Sequence, residues 1–214
     1  MPQNRRIDWA KGLGLTNFTY PNRIIDFVAV GGNNGGFIPN DQLMSAILNE
    51  IHPDTGAIIY FPEGEYLFNE TIGLKSNIVL KGVSAGVTYL NFNLGGSGNL
   101  IEIKGLQTTI ESEFTTGAAK GDSSILLVNA GLFQIGDFIQ IIDNDSLKVT
   151  SDWAVGSTGQ IARIKSISAN TITLVNVLRR KYLIEDAPKV VLLDPIKNVG
   201  IEQLTINRTD TTAG

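Results

Sequence analysis

The chain has 214 residues, of which 43% are hydrophobic and 18% are charged, and its formal net charge is −4. This balance is typical of a globular protein with one large domain or two small ones, and the acidic sum argues against nucleic acid as a partner. The absence of cysteine excludes disulfides, thiolate nucleophiles and zinc–cysteine sites. No segment has the apolar length of a membrane span or a signal-peptide core, so no membrane partner is expected.

The N-terminal part of the sequence is polar and irregular. Residues 1–25 carry isolated aromatic side chains and predict an extended arm. The glycine-rich stretch Gly31–Gly36 follows, but it lacks the lysine, the Ser/Thr and the G-x-G-x-x-G spacing of phosphate-binding loops. This stretch therefore predicts a turn.

One helix is predicted, over residues 40–51. Asn40 or Asp41 can cap it, and Pro53 ends it. Apolar residues follow at steps of one, three and four, which places them on one face of about three helical turns. These residues are Leu43, Met44, Ile47, Leu48 and Ile51.

From residue 57 the pattern changes to short strands separated by turns. The segment "AIIYFPEGEYLF" (57–68) predicts two buried strands on either side of a Pro-Glu-Gly turn. Three later segments, "SNIVLKG", "GNLIEIKG" and "KNVGIEQLTI", each begin with an asparagine ahead of an apolar run: Asn77, Asn99 and Asn198. Recurrence at 20–50 residues with strands and turns only is typical of a β-helical solenoid.

A separate module interrupts this pattern. Short, evenly spaced strands in "DSSILLVNAGLFQIGDFIQIIDND" and "GQIARIKSISANTITLVNVL" predict a small antiparallel barrel or sandwich. We therefore expect an arm (1–25), a cap with the first coils (26–106), an inserted β module (107–188) and a return to the coil (189–214).

The segments "RIIDFVAVGG", "NDQLMSAI" and "GAIIYFPEGEYLFNETIGLKSNIVLKGVSAGVTYL" together resemble the start of the pectate lyase superfamily. The resemblance covers about residues 24–104 and again 195–206. It implies an all-β fold: the start of a right-handed parallel β-helix with an N-terminal capping helix and the inserted β-barrel or sandwich module. The stretch "GGNNGGFIPND" departs from the family's Gly-Asp-Gly loop and following Asp-Asp, which puts a metal or structural role of those carboxylates in doubt.

Few residues in the sequence suggest chemistry, and no catalytic residue is predicted. Asp143 and Asp145 in "DND" are expected to form a turn, with a calcium site as the alternative and no other cofactor expected. His52 is the single histidine, so neither a catalytic triad nor a multi-histidine metal site can be built on it. Trp153 lies in a turn-rich segment, where it could stack on a sugar ring or pack onto the core of its own module.

The resemblance implies polysaccharide as the partner and a parent protein that is a polysaccharide lyase or glycoside hydrolase. Relatives carry their reactive groups on middle and later coils, so we expect this chain to be an N-terminal portion whose catalytic residues lie beyond it. The alternative is a polysaccharide-binding or assembly module of a phage tailspike or surface-attachment protein. The expected location is extracellular or cell-surface, or the virion in the alternative, and homo-oligomerisation is left open.

Overall fold

The computed structural model describes residues 18–210, which separate into two compact units. The first, here called the coil unit, comprises the described residues up to Lys104 together with those from Ile196 onward. The second, the inserted module, is Gly105–Pro195.

The coil unit is a parallel β-helix, as predicted. Its strands form three sheets in which every pairing is parallel. The first sheet contains β1 (Ile24–Asp26), β3 (Ala57–Phe61), β6 (Ile78–Gly82) and β15 (Gly200–Glu202); the second contains β2 (Gly35–Pro39), β4 (Gly64–Phe68), β7 (Thr88–Phe92) and β16 (Thr205–Arg208); the third contains β5 (Ile72–Gly73) and β8 (Ile101–Glu102). Successive coils therefore stack strand on strand, which is how a solenoid buries its interior.

Aromatic side chains fill the interior of the coil unit. The Phe27 and Phe61 ring centroids are 4.8 Å apart, and those of Phe68 and Phe92 are 5.3 Å apart. Phe61 and Tyr66 are fully buried, as predicted for core residues, whereas Tyr60 is only half-buried and lies outside the core cluster.

The predicted helix is confirmed as α1 (Asp41–Glu50), which buries Met44, Ile47 and Leu48 against the aromatic core. Neither candidate side chain caps it. Asn40 instead bonds Asn33, accepting from its amide at 2.8 Å and donating to its carbonyl at 3.0 Å. The Asp41 carboxylate accepts from the backbone amides of the turn after β4. Both side chains thus fasten the helix to neighbouring turns.

One corner of the coil requires a left-handed backbone in three successive coils. Gly56, Asn77 and Asn198 have φ angles of 63°, 62° and 53°, and each precedes a strand of the first sheet or lies close before it. The Asn198 side chain donates to that of Asn77 at 2.9 Å, and the Asn77 side-chain Nδ2 donates to the carbonyl of Pro53 at 2.7 Å. Asn99, which the sequence pattern grouped with Asn77, precedes β8 of the third sheet instead.

The inserted module is a six-stranded antiparallel sheet with the order β10-β13-β12-β11-β14-β9. The edge strands meet where Phe114 bridges Leu127 and the Val128 amide donates to the Glu113 carbonyl at 2.9 Å. The sheet thereby closes into a small barrel, one of the two predicted forms. Its strands are β9 (Leu106–Glu113), β10 (Ser124–Leu126), β11 (Phe138–Ile142), β12 (Gly159–Ser168), β13 (Thr171–Leu174) and β14 (Lys189–Asp194).

All three predicted internal boundaries differ from the structure. The inserted module begins at Gly105 and not at residue 107. The sequence predicts that the segment 189–194 belongs to the returning coil, but β14 pairs antiparallel with β11 and β9, so the module ends at Pro195. The predicted arm reached residue 25, but Ile24 and Ile25 belong to β1 and pair with Ile58 and Ile59. Residues 1–17 of the predicted arm lie outside the described residues.

Candidate functional site

The sugar-contact candidate, Trp153, lies on the loop of residues 143–158 that joins β11 to β12, hereafter the 143–158 loop. Trp153 occupies a short 3-10 turn, Asp152–Ala154, and is 88% exposed. The alternative in which Trp153 packs onto the core of the module is therefore wrong. Leu147 on the same loop is 98% exposed, and Val155 is exposed as well, so the loop presents three apolar side chains to solvent.

A buried carboxylate fastens this loop. Asp145 accepts hydrogen bonds from the Gly156 amide at 2.7 Å, the Thr158 amide at 2.9 Å and the Thr158 hydroxyl at 2.6 Å. These bonds, led by the one from Gly156, lower the pKa of Asp145 to about 2. The carboxylate is therefore ionised at ordinary pH and joins the beginning of the loop to its end.

The neighbouring carboxylate, Asp143, is buried among cations. It forms ion pairs with Arg180 and with Lys148, whose ammonium lies 2.8 Å from one of its oxygens. Lys148 also pairs with Asp186 at 2.6 Å. Bonding to Asp143 and then to Asp186 raises the pKa of Lys148. The Lys148 ammonium therefore stays charged and links the loop to the segment that precedes β14.

These contacts bear on the predicted calcium alternative. Calcium takes six to eight oxygen ligands. Asp143 Oδ2 faces two cations, and Asp143 Oδ1 lies 3.4 Å from the Thr158 hydroxyl. The oxygens of Asp145 face N–H and O–H donors. Within residues 18–210, no group of three or more His, Asp or Glu side chains is placed to hold a metal. The donor set at Asp143 and Asp145 fits ion pairing and loop closure better than it fits calcium.

Two buried polar atoms close to this cluster lack a hydrogen-bond partner among the described residues: the Arg180 Nε and the Tyr182 hydroxyl. The Arg180 guanidinium lies over the Tyr182 ring, 4.8 Å from its centroid. Burial is the main cause of the raised Tyr182 pKa. The sequence cluster "LRRKY" (178–182) thus contributes two residues to this region: Arg180, which is half-buried, and Tyr182, which is buried.

The remaining candidate lies elsewhere. His52 is exposed in the coil unit, with its Nδ1 atom 3.6 Å from the carboxylate of Asp54. No helix in the described part of the chain is long and apolar enough to cross a membrane. Sequence reasoning found Trp153 and both aspartates but missed the burial of the aspartates. The donors that bury Asp145, Gly156 and Thr158, lie eleven and thirteen residues later in the chain. No periodic sequence pattern connects them to Asp145, so the sequence does not indicate its burial.

Comparison with known proteins gives independent evidence on the family and the fold of this chain. The sequence matches the family described as rhamnogalacturonase A/epimerase, pectate lyase-like, over residues 30–168. The capsule K1-specific depolymerase of Klebsiella phage K64-1 is 24% identical over 107 residues, which are 50% of this chain and 12% of that protein.

Three solved tailspikes share the fold. The gp54 tailspike of Acinetobacter baumannii bacteriophage AP22, solved in complex with A. baumannii capsular saccharide, aligns with a TM-score of 0.66 and 16% identity over 98% of this chain and 36% of its own. The gp61 tailspike of Pseudomonas phage phi297 has a TM-score of 0.64 and 15% identity, covering 88% of this chain and 35% of its own. The gp49 tailspike of Pseudomonas phage LKA1 has a TM-score of 0.57 and 16% identity, covering 83% and 34%.

The chain thus spans roughly a third of each solved tailspike and a smaller share of the depolymerase. The family match covers well over half of the chain and includes α1, the first coils and much of the inserted module. This protein therefore belongs to the pectate lyase-like family of rhamnogalacturonase A and epimerase.

Proposed function

We propose that this chain is part of a tailspike-type phage protein that engages a bacterial capsular polysaccharide. The observation that carries the proposal is the sequence similarity to a phage capsule depolymerase in a chain whose fold matches solved tailspikes. The proposed site of action is extracellular, where a virion meets the capsule. Homo-oligomerisation belongs to the same proposal and is tested by light scattering.

The contribution we assign to this chain is binding. Trp153 offers an exposed indole on a fastened loop, and an aromatic face is a suitable surface for the apolar side of a sugar ring. Trp side chains bury about 150–250 Å² in contacts, so covering one face removes about 80 Å² from water. At about 25 cal/mol per Å² this contact contributes about 2 kcal/mol, or roughly a 30-fold change in affinity.

The chemistry of the whole protein is proposed as lyase or glycoside hydrolase cleavage of the same polymer. Hydrolysis would need two carboxylates positioned on either side of the scissile bond. Asp143 and Asp145 do not serve that role in this proposal, because their oxygens are engaged by cations and by loop donors.

The test is binding of the 214-residue chain to purified capsular polysaccharides, with Klebsiella type K1 in the panel, by biolayer interferometry. Trp153→Ala is expected to weaken binding about 30-fold, whereas Trp153→Phe retains most of the affinity. Ile135→Ala is the matched control, since it truncates an exposed apolar residue of the module outside the 143–158 loop. Unchanged affinity of Trp153→Ala, or absence of binding across the panel, would contradict the proposal. Size-exclusion analysis of the same mixtures detects cleavage.

A further inference from the structure

The 143–158 loop exposes several large apolar side chains, and hydrogen bonds to Asp145 hold its two ends together. Leu147, Trp153 and Val155 are all exposed on a connection between two adjacent antiparallel strands. A binding surface on a free loop loses affinity, because ordering the loop on binding costs free energy. A loop that is already held in one conformation avoids that cost.

Asp145 supplies the hold. The residue is 1% exposed, and its side chain joins the first residues of the loop to Gly156 and Thr158 at the end. Its backbone carbonyl also accepts from the Lys148 amide at 2.7 Å. One residue therefore organises both ends of the loop.

The hold extends to the tryptophan through consecutive turns. The Ala154 amide donates to the Ser151 carbonyl at 2.9 Å, the Val155 amide to Asp152 at 3.2 Å and the Ser157 amide to Ala154 at 3.0 Å. This chain of turns runs through Trp153 and ends at the residues that Asp145 binds. A change at Asp145 thus reaches Trp153 through the backbone.

We propose that Asp145 is a positioning residue that fixes the 143–158 loop so that Trp153 is presented to the saccharide. The inference rests on the proposed function, in which Trp153 makes the sugar contact. Asp145 acts through the loop and not on the ligand, because it is buried beneath it.

The chemistry favours aspartate at this position over asparagine. Three donors converge on two oxygens, and an ionised carboxylate has only acceptors to offer. An asparagine side chain would turn its NH₂ group toward at least one of those donors. The Asp145 carboxylate stays ionised down to about pH 2, so the loop is held throughout the ordinary pH range.

The direct test measures the mobility of Trp153 without ligand. The chain has two tryptophans, so Trp9→Phe leaves Trp153 as the single emitter, and its fluorescence anisotropy reports loop motion. Asp145→Ala is expected to lower the anisotropy at least twofold, and Thr158→Val, which removes only the hydroxyl donor, to lower it less. Asp152→Ala is the charge-matched control, since it removes a carboxylate from the same loop and leaves the Asp145 bonds intact. Circular dichroism establishes that each variant keeps the barrel. Unchanged anisotropy in both Asp145→Ala and Thr158→Val overturns the proposal.

A second test links position to binding. Asp145→Ala is expected to weaken binding to the polysaccharide at least tenfold when Trp153 is present and to have little effect in the Trp153→Ala background. Equal effects in the two backgrounds overturn the positioning role. If Trp153→Ala alone keeps full affinity, it is the proposed function that fails, and the anisotropy still decides whether Asp145 fixes the loop. The anisotropy of the Trp9→Phe chain with Asp145 intact is expected to stay constant from pH 7 to 4 and to fall as the pH approaches 2.

Discussion

The left-handed corner of the coil unit makes a sharp prediction for Gly56→Ala. Gly56 has φ +63°, and a Cβ added there would lie 1.9 Å from the carbonyl oxygen of Asn77. That oxygen accepts from the Ala57 amide at 3.0 Å, at the point where β3 begins to pair with β6. Relieving the clash requires the Asn77 carbonyl to move by about 1 Å or more, which breaks this hydrogen bond.

The size of the effect follows from a comparison with Gly95→Ala. Gly95 has φ +71°, but a Cβ there meets nothing within 4 Å. Both variants carry the left-handed strain of alanine, about 1–2 kcal/mol, partly offset by a stiffer unfolded chain. Only Gly56→Ala also loses the hydrogen bond, about 1 kcal/mol, and distorts the start of a strand pair. We expect Gly56→Ala to be the more destabilising of the two by about 2 kcal/mol.

Hydrogen-exchange mass spectrometry of peptides covering β3 and β6 is the assay, because it reports on the coil unit separately from the inserted module. A difference of about 2 kcal/mol corresponds to roughly 30-fold faster exchange in Gly56→Ala than in Gly95→Ala. Equal exchange in the two variants would show that the close approach to Asn77 does not constrain this corner, and would refute the reasoning.

Three further outcomes are expected. Tyr66→Phe should lower the free energy of unfolding by about 1 kcal/mol in denaturant titrations, because the Tyr66 hydroxyl donates to the Pro62 carbonyl at 2.9 Å. Tyr182→Phe should leave the free energy of unfolding unchanged, because the Tyr182 hydroxyl has no partner in the described structure. Equal losses in the two variants would contradict this. Asp145 has a lower pKa in the folded chain than in the unfolded chain, so its contribution to the free energy of unfolding is complete above about pH 4 and is lost as the pH falls through 2. Asp145→Asn should lose less stability than the wild type over this pH range, and identical acid-unfolding profiles would refute the prediction. The melting temperature should be the same in EDTA and in calcium, and a calcium-dependent rise that Asp143→Asn abolishes would establish the metal site instead.

Local patterns were sufficient to predict the coil unit. The helical spacing of Met44, Ile47 and Leu48 predicted α1, and the buried runs on either side of the Pro-Glu-Gly turn predicted β3 and β4. In each case one residue's neighbours along the chain decide its structure.

Contacts between residues far apart in the chain determine the features that local sequence patterns do not predict. The run "KVVLLD" has the composition of a coil strand, yet β14 pairs with β11 in the barrel. Asn99 begins a segment similar to that of Asn77 but precedes a strand of the third sheet. The residue that shares the left-handed corner with Asn77 is Gly56, which a search for asparagines does not find. The burial of Asp145 depends on donors eleven and thirteen residues away in an irregular loop, so no periodicity indicates it.

The asparagine pair at the coil corner explains how this fold accommodates an insertion. Asn77 and Asn198 are 121 positions apart in the chain, yet their side chains bond directly and their strands pair in register. The cost of closing a connection grows only with the logarithm of its length, by about 0.6 kcal/mol per doubling. The amide pair and the strand register therefore specify where the coil resumes, whatever the connection contains. We therefore expect the coil to keep this register when the inserted module is replaced by a connection of different length and content.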